Sequence, residues 1–522
     1  MKQLETLSIV APGFYGLNTQ ESGSTLSPNF ALVADNAVVD RFGRLGARMG
    51  WEMQTVDGDV ELDGNPLRFM LEHVNADNTS TILSAGNGKL FKGGSHVDDD
   101  PTLTDITPAS YTISDNDWSG ASLYDHALFV QEGYEPVVYT ESASPAAQKI
   151  TTYTGLTQNF GSDYPKGVIA AYGRFWSFSK TTVYWSTDIA DTAFPCFCGG
   201  TSGTLNISAV LPNNVDEING IAVHNDFLVI FCKNNIVVYA GASNPIGASF
   251  GLQDVITGVG CAATRSIQAT GNDLIFLSSS GIRSLGRLIQ EKSLPMRDLS
   301  KNVFTDLTND VNAEIAAYDS LDHVVSVYSE DNAFYLLSFP HINKVYVVDL
   351  KMPLQDGAAR ITTWTGFKAY SFARLRNKSL LIGKQDGIGQ YKGYQDNGRA
   401  YTLRFMSHYL DLQSPTTLKM LKQVKVTVYG GSNQRFVINL GTDYSTTYDS
   451  YTFTIGGDSI IAEYGASEYG VGEYTIGIQT DTLKSSVIGS GNIIQLGFEA
   501  SLNGNAISVQ SIDCFIKTGR NF

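Results

Sequence analysis

Charge is scarce in this chain: 17% of its 522 residues are charged, against roughly 25% in typical domains. Cations are scarcer still, since 36 Lys and Arg stand against 52 Asp and Glu and leave a net charge of −16. That balance argues against a protein that grips nucleic acid through its phosphates, which requires a basic face. It leaves open a protein past which nucleic acid slides. No apolar run approaches the length of a membrane-spanning helix, so no membrane insertion is expected. The opening Met1–Gly13 carries Glu5 inside its apolar run, which does not read as a secretory signal. Helical periodicity is nearly absent, and Asp306–Tyr318 is the best helix candidate. The five cysteines, Cys196, Cys198, Cys232, Cys261 and Cys514, are odd in number and mostly sit in apolar strand contexts. They read as buried, reduced thiols of a chain folded in a cytosol.

Chemistry is equally sparse. None of the seven histidines pairs with another at helical metal-ligating spacing, and His126 and His224 occupy turn positions suited to a structural role. Cys196 and Cys198 lack a second Cys/His pair at zinc spacing. One nucleophile pattern exists, G-x-S-x-G at Gly247–Gly251. Its serine would need a strand–elbow–helix setting, whereas here it follows Asn244-Pro245 between strands. The acidic turns Asp57–Asn65 and His96–Pro101 lack the closing Glu of a calcium loop. No phosphate-binding loop is present. The sequence therefore nominates no catalytic, cofactor-binding or metal residue, and a non-enzymatic role is expected without a cofactor.

What the chain has is a repeat. Seven hairpins, each two apolar strands about a short polar turn, have first apolar markers at Ile82, Leu128, Phe175, Leu228, Ile275, Phe334 and Leu380. Successive markers lie 46, 47, 53, 47, 59 and 46 residues apart. A β period of roughly 40–50 residues is the spacing of propeller blades, and single sheets of this kind must stack to bury both faces. A further short strand precedes most hairpins, as at Val168–Arg174 and Ile218–Asp226. The reading is an all-β chain with an irregular propeller of six or seven blades, with a long β-sandwich or solenoid as the competing architectures. Two steps are lengthened, one by the Gly-rich Asp191–Val210 and one by the helix candidate.

The domain boundaries follow. Residues 1–55 form an N-terminal extension with Arg41, Arg44 and Arg48 as either a partner-binding patch or ordinary solvated charges. Residues 56–398 carry the repeat. From 399 to 522 the hairpin period stops, and alternating strands suggest a C-terminal β-sandwich. Within it, Glu463-Tyr464, Glu468-Tyr469 and Glu473-Tyr474 form an acidic-aromatic stretch, read as a contact surface or a tyrosine-rich edge.

Several motifs together resemble a known family. Gly16, Asn18 and Thr19, then Leu26 and Pro28, then Ala34 and Asn36, then Asp40 and Gly43, and finally Arg48 and Gly50 are similar in order and spacing to the opening of tail nozzle (tail tubular B-like) proteins of short-tailed bacteriophages, the podoviruses. The irregular propeller and the closing segments Lys419–Gly431 and Gly504–Arg520 extend the resemblance over most of the chain. It implies a structural virion protein of the tail, made in the host cytoplasm. Six copies would form a ring beneath the portal and the tail adaptor protein, carrying a tail fibre or needle protein at the far end. The ring would conduct and retain genomic DNA during ejection without binding it specifically. The competing functions are a host-surface-binding adhesin and a propeller carbohydrate hydrolase of a phage tail.

Overall fold

The computed structural model describes residues 5–519, apart from 10–12, 23–25, 41, 56–60, 96–99, 110, 112, 114–117, 162, 191–193, 212–214, 272, 291–298, 413, 431–433, 446, 456–479 and 486–488. Arg41, most of the two acidic turns and the Glu-Tyr stretch lie outside the described residues.

The chain is all-β, and its hairpins build small antiparallel sheets in sequence order. The first contains Leu67–Val74, Ser80–Gly86, Lys89–Ser95 and Asp100–Asp105, and the second Ser119–Leu123, His126–Gln131, Tyr134–Tyr139 and Ala147–Lys149. The third runs from Gly167–Ala171 to Gly203–Asn206, and the fourth from Ile218–His224 to Gly251–Thr257. The fifth has three strands, Gln268–Ala269, Leu274–Ser278 and Gly281–Ser284. The sixth set is Val325–Ser329, Phe334–Phe339, Lys344–Asp349 and Arg360–Thr365. The seventh is Ser371–Arg374, Leu380–Gly383 and Ile388–Tyr391, with Trp51–Met53 as its outer strand.

All seven marker residues lie in the second strand of their sheet and are buried. Each sheet's first strand, or the turn Thr264–Ser266 just ahead of the fifth, lies against that of the next sheet. Ser371–Arg374 of the seventh in turn lies against Leu67–Val74 of the first, so the succession returns to its start. Separate apolar layers fill the spaces between neighbours. Trp176 and Phe178 meet Leu228 and Ile230 between the third and fourth sheets, and Leu67 and Ile82 meet Leu381 and Ile388 between the first and seventh. Burial of such layers, at roughly 25 cal/mol per Å² of apolar surface, is what holds neighbouring sheets together.

The boundary expected at residue 55 is corrected by pairing. Met53 pairs Gly389, Glu52 pairs Gln390 and Trp51 pairs Tyr391, so the repeat is completed by a strand from before it. The rest of the N-terminal segment is likewise built into sheets rather than extended from them. Glu5–Ile9 and Leu45–Ala47 pair with Ile507–Thr518, and Phe30–Asp35 inserts between Arg360–Thr365 and Tyr401–Ser407. One sheet thus runs from the sixth set through Phe30–Asp35 into Tyr401–Ser407, Ile494–Leu502, Arg435–Thr442 and Asp449–Thr454. A second, of seven strands, is centred on Lys419–Gly430 and Ile507–Thr518. The C-terminal strands of the two share one core, with Phe405, Phe436 and Phe498 facing Val424, Val426 and Ile512.

The expected helix forms as Phe304–Tyr318. It is anchored by a buried carboxylate: Glu314 bonds His323 at 2.6 Å and accepts the backbone N–H groups of His341 and Ile342 at 3.0 and 3.2 Å.

Candidate functional site

Two places gather polar groups inside this scaffold. The first is the leading end of the cycle, where the first strands begin. Arg265, just ahead of the fifth sheet, donates through Nε and Nη2 to the Asp322 carbonyl at 3.0 and 2.8 Å, and through Nη1 to the carbonyl of Arg68. Lys166, ahead of the third sheet, meets Oδ1 of Asp322, ahead of the sixth, at 3.0 Å. The fifth and first sheets are not neighbours in the cycle, nor are the third and sixth, so these bonds cross its interior. Beside the bridge lies a cleft of about 260 Å³ lined by Val168, Ile169, Ile221, Val223, Ile267 and Ala269, with Ser119, Thr264 and Arg265 as its polar rim. No carboxylate lines it. The paired carboxylates used in most glycoside hydrolysis are therefore not among its lining residues.

The second place is the junction of the N-terminal segment with the closure of the cycle. Arg48 is fully buried. Its Nη1 and Nη2 reach the two carboxylate oxygens of Asp396 at 2.8 and 2.7 Å, its Nε reaches Asn36 Oδ1 at 2.8 Å, and Nη1 also reaches the Met49 carbonyl at 2.9 Å. The guanidinium lies 4.0 Å from the ring centre of Tyr401 and 5.0 Å from that of Phe367. Nearby, buried Lys384 sits 4.1 Å from the Trp51 ring centre and donates to the carbonyls of Phe367 and Lys368. Desolvation pushes its ammonium down to about 7, opposed by the Asp396 charge and assisted by that of Arg48.

These contacts correct the reading of Arg44 and Arg48 as a patch or as solvated charges. Arg44 is buried too, bonded to Asp40 at 2.7 Å and lying over the rings of Phe42 and Tyr429. Exposed loops and buried straps have the same polar, Gly-rich composition, so sequence could not separate them. A positive clue was the pairing of Arg48 with Asn36 inside one short motif.

The remaining candidates fall apart in space. Ser249 is exposed in the loop before Gly251–Thr257, and no acidic or histidine side chain bonds it among the described residues. Its neighbour Phe250 explains the local sequence, since it packs on Trp176, Trp185 and Tyr239. His126 is buried against Tyr153 and Phe194 and bonds Thr140 at 2.8 Å. Cys196 and Cys198 correct the expectation of reduced thiols, being joined in a disulfide. Buried Phe197 between them turns inward and leaves their Cα atoms 5.3 Å apart, within disulfide reach. Cys232, Cys261 and Cys514 are free and buried, and desolvation pushes the first two thiols up to about 12 and about 11. Among the described residues no group of three or more His, Cys, Asp or Glu could hold a metal ion, and no helix is long and apolar enough to cross a membrane.

No protein-family model matches the chain, and no curated protein matches it. Solved structures share only a loose likeness. The extracellular domain of a one-component system from B. thetaiotaomicron has 9% identity and a TM-score of 0.34, covering 84% of this chain and 48% of that one. PorZ, a surface component of the type-IX secretion system of Porphyromonas gingivalis, has 10% identity and a TM-score of 0.35, covering 65% and 37%. A chain of the Mitotic Checkpoint Complex has 10% identity and a TM-score of 0.38, covering 63% and 90%. This chain spans less than half the length of the first two, and at these TM-scores none defines a common fold with it.

Proposed function

We propose that residues 51–391 form a seven-bladed β-propeller, closed by Trp51–Met53, that it is fused to a C-terminal β-sandwich, and that the chain is the structural subunit of a homomeric tail nozzle of a short-tailed bacteriophage. The observation that carries the reading is the position of the shared N-terminal motif. Asn36 donates to the Thr402 carbonyl at 2.9 Å and accepts from Arg48, and Arg48 reaches Asp396. The motif is therefore the clasp between propeller and sandwich, and a resemblance carried by it concerns the whole architecture rather than a detachable tag. The bridge at Arg265 and Asp322 obstructs each propeller's own axis, so a DNA path would lie between subunits. An acidic wall suits that use, because phosphate-gripping contacts would retard a genome that must leave. Electron microscopy of the purified protein tests the proposal: a six-fold ring with a central bore of duplex width is expected. A protein that remains monomeric at all concentrations would refute it.

A further inference from the structure

Two faces of the chain have opposite charge character. About half of the described lysines meet a carboxylate, as Lys89 does Glu61, Lys233 does Glu217 and Lys344 does Asp310, all at 2.6 Å. Buried Lys419 is held by three carbonyls. Lys422, Lys425 and Lys517 meet no anionic side chain among the described residues. They gather on one sheet. In Lys419–Gly430 the side chains of Leu421, Val424, Val426 and Val428 are buried, so Lys425 points the other way, and Lys422 is exposed at a bulge. Lys517 pairs in register with Met420 on the same outer side. Asp513, opposite Lys425, is the carboxylate in register within the patch and accepts from Ser8 at 2.6 Å.

The other face is the turn end of the cycle, where first strands reverse into second strands. Turn-to-turn bonds place these tips side by side: Ala76 N–H donates to Asp125 at 2.7 Å, and Asp226 N–H to the Tyr172 hydroxyl at 3.0 Å. The second to fourth sheets present Tyr124, Tyr172 and Phe227, exposed by 58%, 39% and 37%. Exposed Asp77, Asp125 and Asp226 lie among them and meet no cationic side chain among the described residues. Of the seventh sheet's cations at this end, Arg374 and Lys378 are already paired with Glu330 and Asp331, while Arg376 reaches Asn78 Oδ1 at 3.4 Å, away from the second to fourth sheets.

We infer that the acidic, aromatic turn end of one copy docks on the lysine face of the next. Carboxylates pair with ammonium groups, and exposed ring faces attract them further. The two surfaces differ and no described contact joins them within one chain. The contact is therefore heterologous, and repeated it gives a ring or a filament according to the rotation between copies. This inference rests on the homomeric reading above and names the surfaces that reading needs.

The test is native mass spectrometry with analytical ultracentrifugation of the full chain at low and high salt. Wild type should assemble, and less tightly as salt rises. Lys422→Glu/Lys425→Glu/Lys517→Glu should weaken association on the order of tenfold or more, as should Asp125→Lys/Asp226→Lys. A chain carrying both sets should regain assembly, because reversed faces again match. Unchanged melting temperatures would show that the folds are intact. If wild type assembles and either reversed set assembles equally well, this inference fails while the homomeric reading stands. A monomeric wild type overturns both. Duplex DNA binding that is lost in the lysine variant, with its mass unchanged, would overturn the inference and assign that face to nucleic acid.

Discussion

Arg48 is the residue on which the architecture turns. A cation with no exposed surface is tolerated only when its donors are matched, and Asp396, Asn36 and the Met49 carbonyl together do this. Replacement by Ala strands the Asp396 carboxylate. We expect Arg48→Ala to lose about 3–5 kcal/mol in chemical denaturation, with a smaller loss in a joint Arg48→Met/Asp396→Leu variant, where no lone charge remains. Equal stability of Arg48→Ala and wild type would show that the clasp is dispensable. Lys384 makes a second prediction, in pH. Its folded-state value of about 7 lies below the ordinary 10.5. Between those limits the unfolded chain holds a proton that the folded chain has released, so stability rises with pH above 7 and its Lys384 contribution is flat below. The rise should be ~2 kcal/mol from pH 7 to pH 9. Lys384→Met should abolish that slope in thermal melts at stepped pH; parallel profiles for the two proteins would contradict the assignment.

At the scale of elements, the hairpins were legible because each is local: two apolar strands and a turn lie within some twenty residues of sequence. The seven markers from Ile82 to Leu380 all fall in second strands for that reason. The helix at Phe304–Tyr318 was legible for the same reason. Trp51–Met53 was not, since three residues carry no periodicity and their partner lies more than 330 positions away. The insertion of Phe30–Asp35 between strands from two separate regions was hidden likewise. The candidate site was less legible still. Arg265 with Arg68, and Lys166 with Asp322, are unremarkable in sequence and meet only because the cycle closes. Closure itself can be tested at Gly50, whose added Cβ would lie 1.8 Å from the Gln395 carbonyl oxygen. The obstacle is backbone, which cannot swing away, and Gly50 N–H also bonds the Gly393 carbonyl at 2.8 Å. Gly50→Ala should cost ~2 kcal/mol or more and raise proteolytic cleavage near residues 51–53 and 388–391. Unaltered protease resistance would mean that the closing strand tolerates displacement.

At the scale of the whole molecule, charge decides what the protein leaves alone. Each copy contributes −16, so an assembly becomes more acidic with every subunit added. About half of its described lysines are paired with carboxylates, and Lys422, Lys425 and Lys517, which are not, lie on one sheet face. Duplex DNA approaching such a surface meets net repulsion, which salt screens within about 8–10 Å. Tight binding would need several phosphates neutralised together, and each such contact would make affinity fall steeply with salt. We therefore expect a titration of the assembled protein with linear duplex DNA to give no sub-micromolar affinity at physiological salt. Any weak binding at low salt should be independent of sequence. Sub-micromolar binding with a steep salt slope would reveal a basic wall created by assembly, with lysines from several copies brought together at the bore, and a passage that retains DNA by adhesion rather than by steric closure.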